Sequence, residues 1–267
     1  MQATSETYQR ILAESNHWFE STVVIGESGV LITERNERIL FAGVAIIVAR
    51  DGPSSGFGEE QIFSIRTTQN MLTQGPQLGQ AIAAEIELTM LNPPGDIPTM
   101  ALLVPYVRAC SETEQSEWIQ QGVYYIDTRE VTQNSDGLDI LTLHGFDAML
   151  KTEQYFSDSG RLNWSAGYVL DTAMVQEIAK IIGVNVDSRT WDVMTDAYHI
   201  PLPLNYTLRE ILGYIAGAYA GVFLMTDLGE LRLVSITDLP AETSLLIDHA
   251  GNYITFGGDR IKLADTG

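Results

Sequence analysis

The pattern of hydrophobic and polar positions changes near residue 150. Before that point, short runs alternate apolar and polar residues, and the run AEIELTM over residues 84–90 places its acids and its aliphatic side chains on opposite faces. Such alternation is typical of an antiparallel strand with one buried face. Similar runs predict strands at residues 19–25, 43–50, 61–67, 100–108, 122–130 and 138–144.

Turn-forming sequence separates these strands. The NPPGD stretch at residues 92–96 ends the strand at 84–90, because proline cannot donate to a strand ladder and Pro-Gly favours a turn. The NSDG stretch at residues 134–137 predicts a hairpin between the last two strands, since Asp-Gly readily adopts positive φ. These strands and polar turns predict a barrel or a sandwich over residues 19–150.

Helical spacing replaces alternation after residue 150. Residues 168–182 repeat aliphatic side chains at helical intervals and are followed by Gly183, a common helix stop. Thr207 and Glu210 have the spacing of a capping box, which predicts that a second helix begins there. Further strands are predicted at residues 222–226, 231–236, 245–247 and 253–256.

The whole pattern predicts an α+β protein that is mainly β, with an antiparallel β-barrel or sandwich followed by a small domain of two helices and a β-hairpin. The expected domains are an N-terminal segment at residues 1–18, the barrel at 19–150 and the small α+β domain at 151–240. Residues 241–267 are expected to form a β segment that returns to the barrel or begins a truncated second barrel.

The net charge of the chain excludes several classes of binding partner. The chain has 267 residues and a formal net charge of −20. A surface this acidic repels phosphate, so we expect neither sequence-independent nucleic-acid binding nor docking on anionic membranes. The longest apolar stretch, residues 39–49, is too short to span a bilayer, and no signal peptide is expected at the N-terminus. We therefore expect a soluble protein that is made in a reducing cytoplasm.

Motifs for catalysis and cofactor binding are missing from the sequence. It has no glycine-rich phosphate loop, no His-Glu-x-x-His and no Gly-x-Ser-x-Gly, so we expect no catalytic, cofactor-binding or metal-binding residues. The single cysteine, Cys110, excludes a disulfide framework and is interpreted as a small core residue at a strand end. Asp147 is interpreted as the cap of a short helix.

Several segments resemble one protein family. The segments are MA and PYVR at residues 100–108, SEWI and GVYYIDTR at 116–129, LTLHGFDAML at 141–150, and YTLREILGYIA and GELRL at 206–233. Together they resemble the N-terminal part of phage and prophage tail-tip proteins, which are the baseplate hub or tail-associated proteins of long-tailed phages of Gram-positive bacteria. The resemblance covers about residues 15–260 and includes no catalytic motif.

The resemblance implies a tail-tube-like barrel with small α/β insertions and a homotrimer that forms a ring in the virion tail. It implies that the ring continues the tail tube beneath the distal tail protein or the last tube ring. Spike, fibre or lytic tail proteins would lie below the ring, and DNA would pass through it only as cargo. The missing motifs and the acidic charge, rather than the resemblance, lead us to expect no cofactor, no enzymatic activity and no membrane binding by this chain.

The charge and the resemblance together lead to one hypothesis about the acids of a single strand. Glu85 and Glu87 would face the channel of the ring and keep DNA from adhering through like-charge repulsion. The alternative is that both are ordinary solvated strand residues.

Two aromatic residues are candidate partner contacts. Phe57 lies between glycines in a loop, and Trp118 lies next to a predicted strand. The N-terminal residues 4–19 predict a helix packed on the barrel or on the ring above. Two other functions stay open at this point, namely a cell-wall-degrading hydrolase and a carbohydrate-binding module that uses Trp118, Trp164 or Trp191.

Overall fold

The computed structural model of the protein describes residues 4–26, 56–69, 78–91, 97, 101–133, 137–157, 167–201, 203 and 205–235, and four two-residue strands outside these ranges. The helices are α1 (Glu6–Leu12), α2 (Asp171–Ile182), α3 (Arg189–Val193) and α4 (Leu208–Ala218), with a 3₁₀ helix at Ala148–Glu153. The strands are β1 (Trp18–Gly26), β2 (Leu40–Phe41), β3 (Val44–Ala45), β4 (Ile62–Thr68), β5 (Gln80–Ala81), β6 (Glu85–Leu91), β7 (Leu102–Cys110), β8 (Ile119–Gln120), β9 (Tyr124–Gln133), β10 (Asp139–Phe146), β11 (Tyr168–Leu170), β12 (His199–Pro201), β13 (Gly221–Met225), β14 (Leu231–Ser235), β15 (Thr255–Phe256) and β16 (Asp259–Arg260).

A seven-stranded antiparallel sheet is the main feature of the first half. Its order is β1-β7-β9-β10-β6-β4, with β8 beside β7. Val23 of β1 and Phe57, which precedes β4, exchange two backbone hydrogen bonds with N–O distances of 3.0 and 2.8 Å. Because β1 and β4 are the two ends of the sheet, this isolated bridge brings the two edges together through the segment before β4, and we call the resulting structure the barrel. The predicted mainly β fold is confirmed.

The barrel core is built on the alternation of β6. Ile86, Leu88 and Met90 are buried, whereas Glu85 and Glu87 are exposed on the opposite face. Each fully buried aliphatic side chain of this kind stabilises the fold by about 2 kcal/mol through the removal of apolar surface from water. Their buried neighbours from the other strands include Val23, Leu103, Ile126, Leu141 and Leu143.

A second hydrophobic core holds the α+β part together. The β13–β14 hairpin packs against α4 and α3, and α2 packs against α4 in the same core, with Phe223, Met174, Ile178 and Leu212 among the buried side chains. The predicted capping box is present at the start of α4. Thr207 Oγ1 accepts from Glu210 N at 3.1 Å, and Thr207 N donates to Glu210 Oε2 at 2.7 Å.

The start of α2 differs from the prediction. The sequence predicts a helix over residues 168–182, whereas the structure begins α2 at Asp171 and ends it at Ile182, with Gly183 as the cap at φ +78°. Tyr168–Leu170 instead forms β11, paired in antiparallel register with β12. The partner strand β12 lies about thirty residues away in the sequence, and Leu170 has an extended backbone. The pairing with β12 therefore outweighs the helical spacing of the local sequence.

One strand connects the two cores. β5 belongs to the barrel half of the sequence, but it pairs in parallel with β13 of the α+β part. Gly79, just before β5, approaches α4 so closely that a side chain on Gly213 would lie 2.9 Å from the Gly79 carbonyl oxygen. The domain boundaries at residues 150 and 240 stay a prediction, and β5 shows that the first of these segments contributes a strand to the second.

The other predicted elements are mostly recovered. The predicted strands at residues 19–25, 61–67, 100–108, 122–130, 138–144, 222–226 and 231–236 correspond to β1, β4, β7, β9, β10, β13 and β14. The strand at residues 43–50 coincides with described structure only at β3, and the strand at 253–256 only at β15, which pairs with β16 in the same tail segment. The rest of both predictions lies outside the described residues, as do the strand at 245–247 and turn residues 134–136.

The N-terminal helix packs on the barrel of its own chain. Helix α1 buries Ile11 and contacts β7. Ser5 caps it by accepting a hydrogen bond from Tyr8 N at 3.1 Å, and the Ser5 backbone N–H donates to Glu117 Oε1 at 2.8 Å. A helix within residues 4–19 that packs on the barrel is therefore confirmed.

No helix within the described ranges is both long enough and apolar enough to cross a membrane.

Candidate functional surface

The acids singled out in the sequence lie on the outer face of the barrel. Glu87 of β6 stands directly opposite Arg66 of β4 on one side and His144 of β10 on the other. Glu85 stands opposite Thr68 and Phe146 in the same way. Directly opposed residues of an antiparallel sheet project to the same face, so Glu87 has one cationic side chain and one imidazole as cross-strand neighbours.

Many of the other side chains on this face carry hydroxyl groups, although the same register also places the partly buried apolar side chains of Leu91, Ile140 and Phe146 there. The polar members that alternation along β4, β6, β10 and β9 places on the same face as Glu85 and Glu87 are Ser64, Thr89, Thr128, Thr132, Thr142 and Glu130. We call this set, with Arg66, Thr68 and His144, the outer polar face. It is rich in hydroxyl groups and carries the three carboxylates of Glu85, Glu87 and Glu130. Because Arg66 adds a positive charge, the face is less negative than its acids alone would indicate.

Phe57 contributes to closure of the barrel. Its backbone pairs with Val23, its carbonyl oxygen also accepts from Thr22 Oγ1 at 3.0 Å, and its ring is partly buried against the barrel core. A partner contact at Phe57 stays a prediction, and the part of the ring that packs on the core is not accessible to a partner.

Trp118 is engaged by a charged neighbour within the same chain. The Arg108 guanidinium carbon lies 4.4 Å from the centre of the Trp118 ring, and Arg108 Nε donates to Glu20 Oε2 at 2.8 Å. The hydrogen bond from Arg108 lowers the pKa of the Glu20 carboxyl, so Glu20 stays ionised at neutral pH. This cation–π contact orients the half-buried indole, and a partner contact there stays a prediction.

The structure exposes aromatic side chains that the sequence patterns did not single out. Phe63 of β4 is 72% exposed because a β-bulge between Ile62 and Ser64 interrupts the register with β6. Trp18 and Phe19 at the start of β1 are about half exposed. A bulge depends on pairing between two strands and leaves no signal in a single strand, so the alternation of β4 could not reveal it.

A second exposed aromatic group lies on the α+β part. Tyr206 and Tyr214 contact each other edge to face, with ring centres 5.4 Å apart, and Tyr155 pairs through its backbone with Thr207 beside them. All three tyrosine side chains are exposed. Nothing in the described part of the chain identifies what would cover them.

Asp147 caps the 3₁₀ helix as predicted. Its Oδ1 accepts from Met149 N at 2.9 Å, and its Oδ2 accepts from Ala84 N at 2.8 Å. Only 2% of the residue is exposed. Burial raises the pKa of this carboxyl to about 6, and the two backbone donors and Arg209 oppose that rise.

A polar cavity of about 190 Å³ lies beside Asp147. Its lining includes the Asp147 and Asp227 residues, Tyr124, Thr67, Thr68 and Thr226. Burial raises the pKa of the Tyr124 phenol to about 12, so it remains protonated and can donate a hydrogen bond at neutral pH. Across the described ranges, no three His, Cys, Asp or Glu side chains gather in a way that could hold a metal ion.

Cys110 lies at the buried end of β7, as predicted. Burial raises the pKa of its thiol, which disfavours the reactive thiolate.

Comparisons with known proteins identify no family. No protein-family model matches the chain, and no curated protein sequence matches it either. Among solved structures, the chain is similar to the 43 kDa tail protein of prophage MuSo2 from Shewanella oneidensis, with 13% identity and a TM-score of 0.49 over 86% of this chain. It is also similar to a tail protein from Neisseria meningitidis MC58, with 10% identity and a TM-score of 0.44 over 84% of this chain.

The chain spans 59% of the length of the Shewanella protein and 53% of the Neisseria protein. At these identities and TM-scores the likeness does not establish a shared function.

Proposed function

We propose that the chain is a structural, non-catalytic component of a bacteriophage or prophage-derived tail. Three copies form a ring-shaped hub at the tail tip that continues the tail tube and lets DNA pass. The ring connects the distal tail protein or the last tube ring to spike, fibre or lytic parts. The tail setting rests on the resemblance of residues 100–150 and 206–233 to tail-tip hub proteins.

The observation that carries the proposal is the outer polar face of the barrel. Four neighbouring strands present hydroxyl groups together with Glu85, Glu87 and Glu130, and Arg66 is the only lysine or arginine among the residues that define this face. Binding to DNA gains free energy when cationic side chains release counterions from the phosphates. A face with this composition offers little such gain, so DNA can slide past it.

The net charge of the chain supports the same interpretation. At −20, the protein repels the phosphate backbone over distances of about 10 Å at moderate ionic strength. Glu87 faces Arg66, so its charge is partly offset, whereas the neighbours of Glu85 are uncharged. Glu85 therefore contributes more than Glu87 to the repulsion from this face.

Charge reversal on the outer polar face tests the proposal. A phage carrying Glu85→Lys and Glu87→Lys in this protein should assemble tails, and its titre should fall by about tenfold or more because new cations hold DNA in the channel. The matched control is Glu59→Lys with Glu60→Lys. It makes the same change in net charge on two exposed residues of the turn before β4.

The control phage should keep its titre. The channel role is wrong if both double variants infect equally well with normal tails, or if both lose titre equally. Ring formation is tested separately by light scattering, which should give three times the monomer mass. Hydrolysis of purified peptidoglycan that a single Asp or Glu substitution abolishes would overturn the non-catalytic assignment.

A further inference from the structure

The two carboxylate oxygens of Asp147 connect the two hydrophobic cores. Oδ2 accepts from the backbone of Ala84, which belongs to the barrel core, and Oδ1 accepts from the backbone of Met149, which belongs to the second core. The backbone N–H of Asp147 also donates to the Ala84 carbonyl oxygen at 3.0 Å. A single buried side chain thus holds the start of β6 to the start of the 3₁₀ helix.

The elements around Asp147 bring only a few charged or titratable groups towards it. Arg209 of α4 acts on the carboxylate through its positive charge. Tyr124 of β9 and Asp227 of the β13–β14 turn line the adjoining cavity, whose remaining side chains are uncharged. The cavity is polar and large enough for water, so a backbone amide released by Asp147 can be solvated there.

We propose that Asp147 is a proton-sensitive latch between the barrel and the α+β part of the chain. As a carboxylate, it accepts from both amides with charge-assisted hydrogen bonds. When a proton from solution binds one oxygen, that oxygen becomes a hydroxyl donor and no longer serves the amide that faced it. One of the two amides, that of Ala84 or that of Met149, is then released. The other amide still donates to the remaining carbonyl oxygen of the Asp147 side chain.

The pH at which the latch changes state follows from its burial. The pKa of the Asp147 carboxyl is raised to about 6, so this carboxyl is mostly ionised at pH 7.5 and mostly protonated at pH 5. The inference concerns the junction alone and does not depend on the proposed tail function.

Amide signals of the full-length chain test the latch. In isotope-labelled protein, the Ala84 and Met149 amides should shift together with a midpoint near pH 6. Below that midpoint, one of the two should lose about tenfold in protection from hydrogen exchange, after correction for the intrinsic exchange rate. Asp147→Asn should abolish the common midpoint, and Asp227→Asn, which removes the other acid of the cavity, should keep it.

The latch is refuted if neither amide titrates between pH 4.5 and 7.5, or if both titrate identically in the Asp147→Asn chain. Loss of the fold in Asp147→Asn is detected by circular dichroism. In that case the side-chain carboxyl carbon of Asp147 in the unmodified chain decides the question. A midpoint near 6 that coincides with the amide shifts supports the latch, and a midpoint below 4 refutes it.

Discussion

At the scale of single residues, Asp147 should make the stability of the fold depend on pH. Its pKa is raised by burial to about 6, compared with about 3.9 in the unfolded chain. The folded state therefore binds the proton more tightly than the unfolded state does. The stabilisation is complete below pH 4 and is lost as the pH rises to about 6, which amounts to about 3 kcal/mol.

This dependence is measured by urea unfolding of the unmodified chain and of Asp147→Asn at several pH values. The difference in unfolding free energy between them should change by about 2 kcal/mol between pH 4 and pH 7, where most of the full shift falls. The control variant is Asp227→Asn, which removes a nearby acid and leaves Asp147 in place. A difference that is constant with pH would show that Asp147 titrates as it does in water. Both effects come from the same titration of Asp147, but with opposite signs: as the pH falls, the unfolding free energy rises while the protection of the Ala84 or Met149 amide decreases.

At the scale of elements, two glycines of α4 that differ in their contacts allow a matched test. A Cβ on Gly213 would lie 2.9 Å from the carbonyl oxygen of Gly79, whereas a Cβ on Gly217 would lie 3.6 Å from Gly79 Cα, an ordinary contact. Gly213→Ala should destabilise the protein by about 1–3 kcal/mol, because the helix must move away from the segment that leads into β5. Gly217→Ala should be neutral or should stabilise by up to about 1 kcal/mol through helix propensity.

Thermal or urea unfolding of the two variants measures the change in stability that each substitution causes. Equal effects of both substitutions would mean that the close approach of Gly79 to α4 does not hold the two cores together.

The elements also show what local sequence can and cannot predict. The alternation of β6 and the capping box at Thr207 depend on neighbouring residues, so both were predicted correctly. The conversion of Tyr168–Leu170 to a strand depends on β12, and the parallel pairing of β5 depends on β13, so neither could be found from local spacing.

The same distinction applies to the candidate site. Capping by Asp147 was predicted because Met149 is two residues away, whereas its second bond is made to Ala84, 63 residues away. The outward direction of Glu85 and Glu87 followed from alternation. Their cross-strand neighbours, which reduce the negative charge around Glu87, required the register of three strands.

At the scale of the whole molecule, we expect the barrel to work as part of a ring. The outer polar face is wide enough to involve four strands and lies on the side of the sheet away from the barrel core. In a symmetric ring each copy presents the same face in the same direction. The net charge of −20 per copy would then be repeated around the channel.

The most direct measurement is an electron cryo-microscopy structure of the assembled tail that contains this chain. We expect a ring of three copies at the tail tip, coaxial with the tube, with Glu85 and Glu87 of every copy on the channel wall. A chain that is absent from the tail would contradict the proposed function. A ring whose Glu85 and Glu87 lie on the outer surface would contradict the role assigned to the outer polar face.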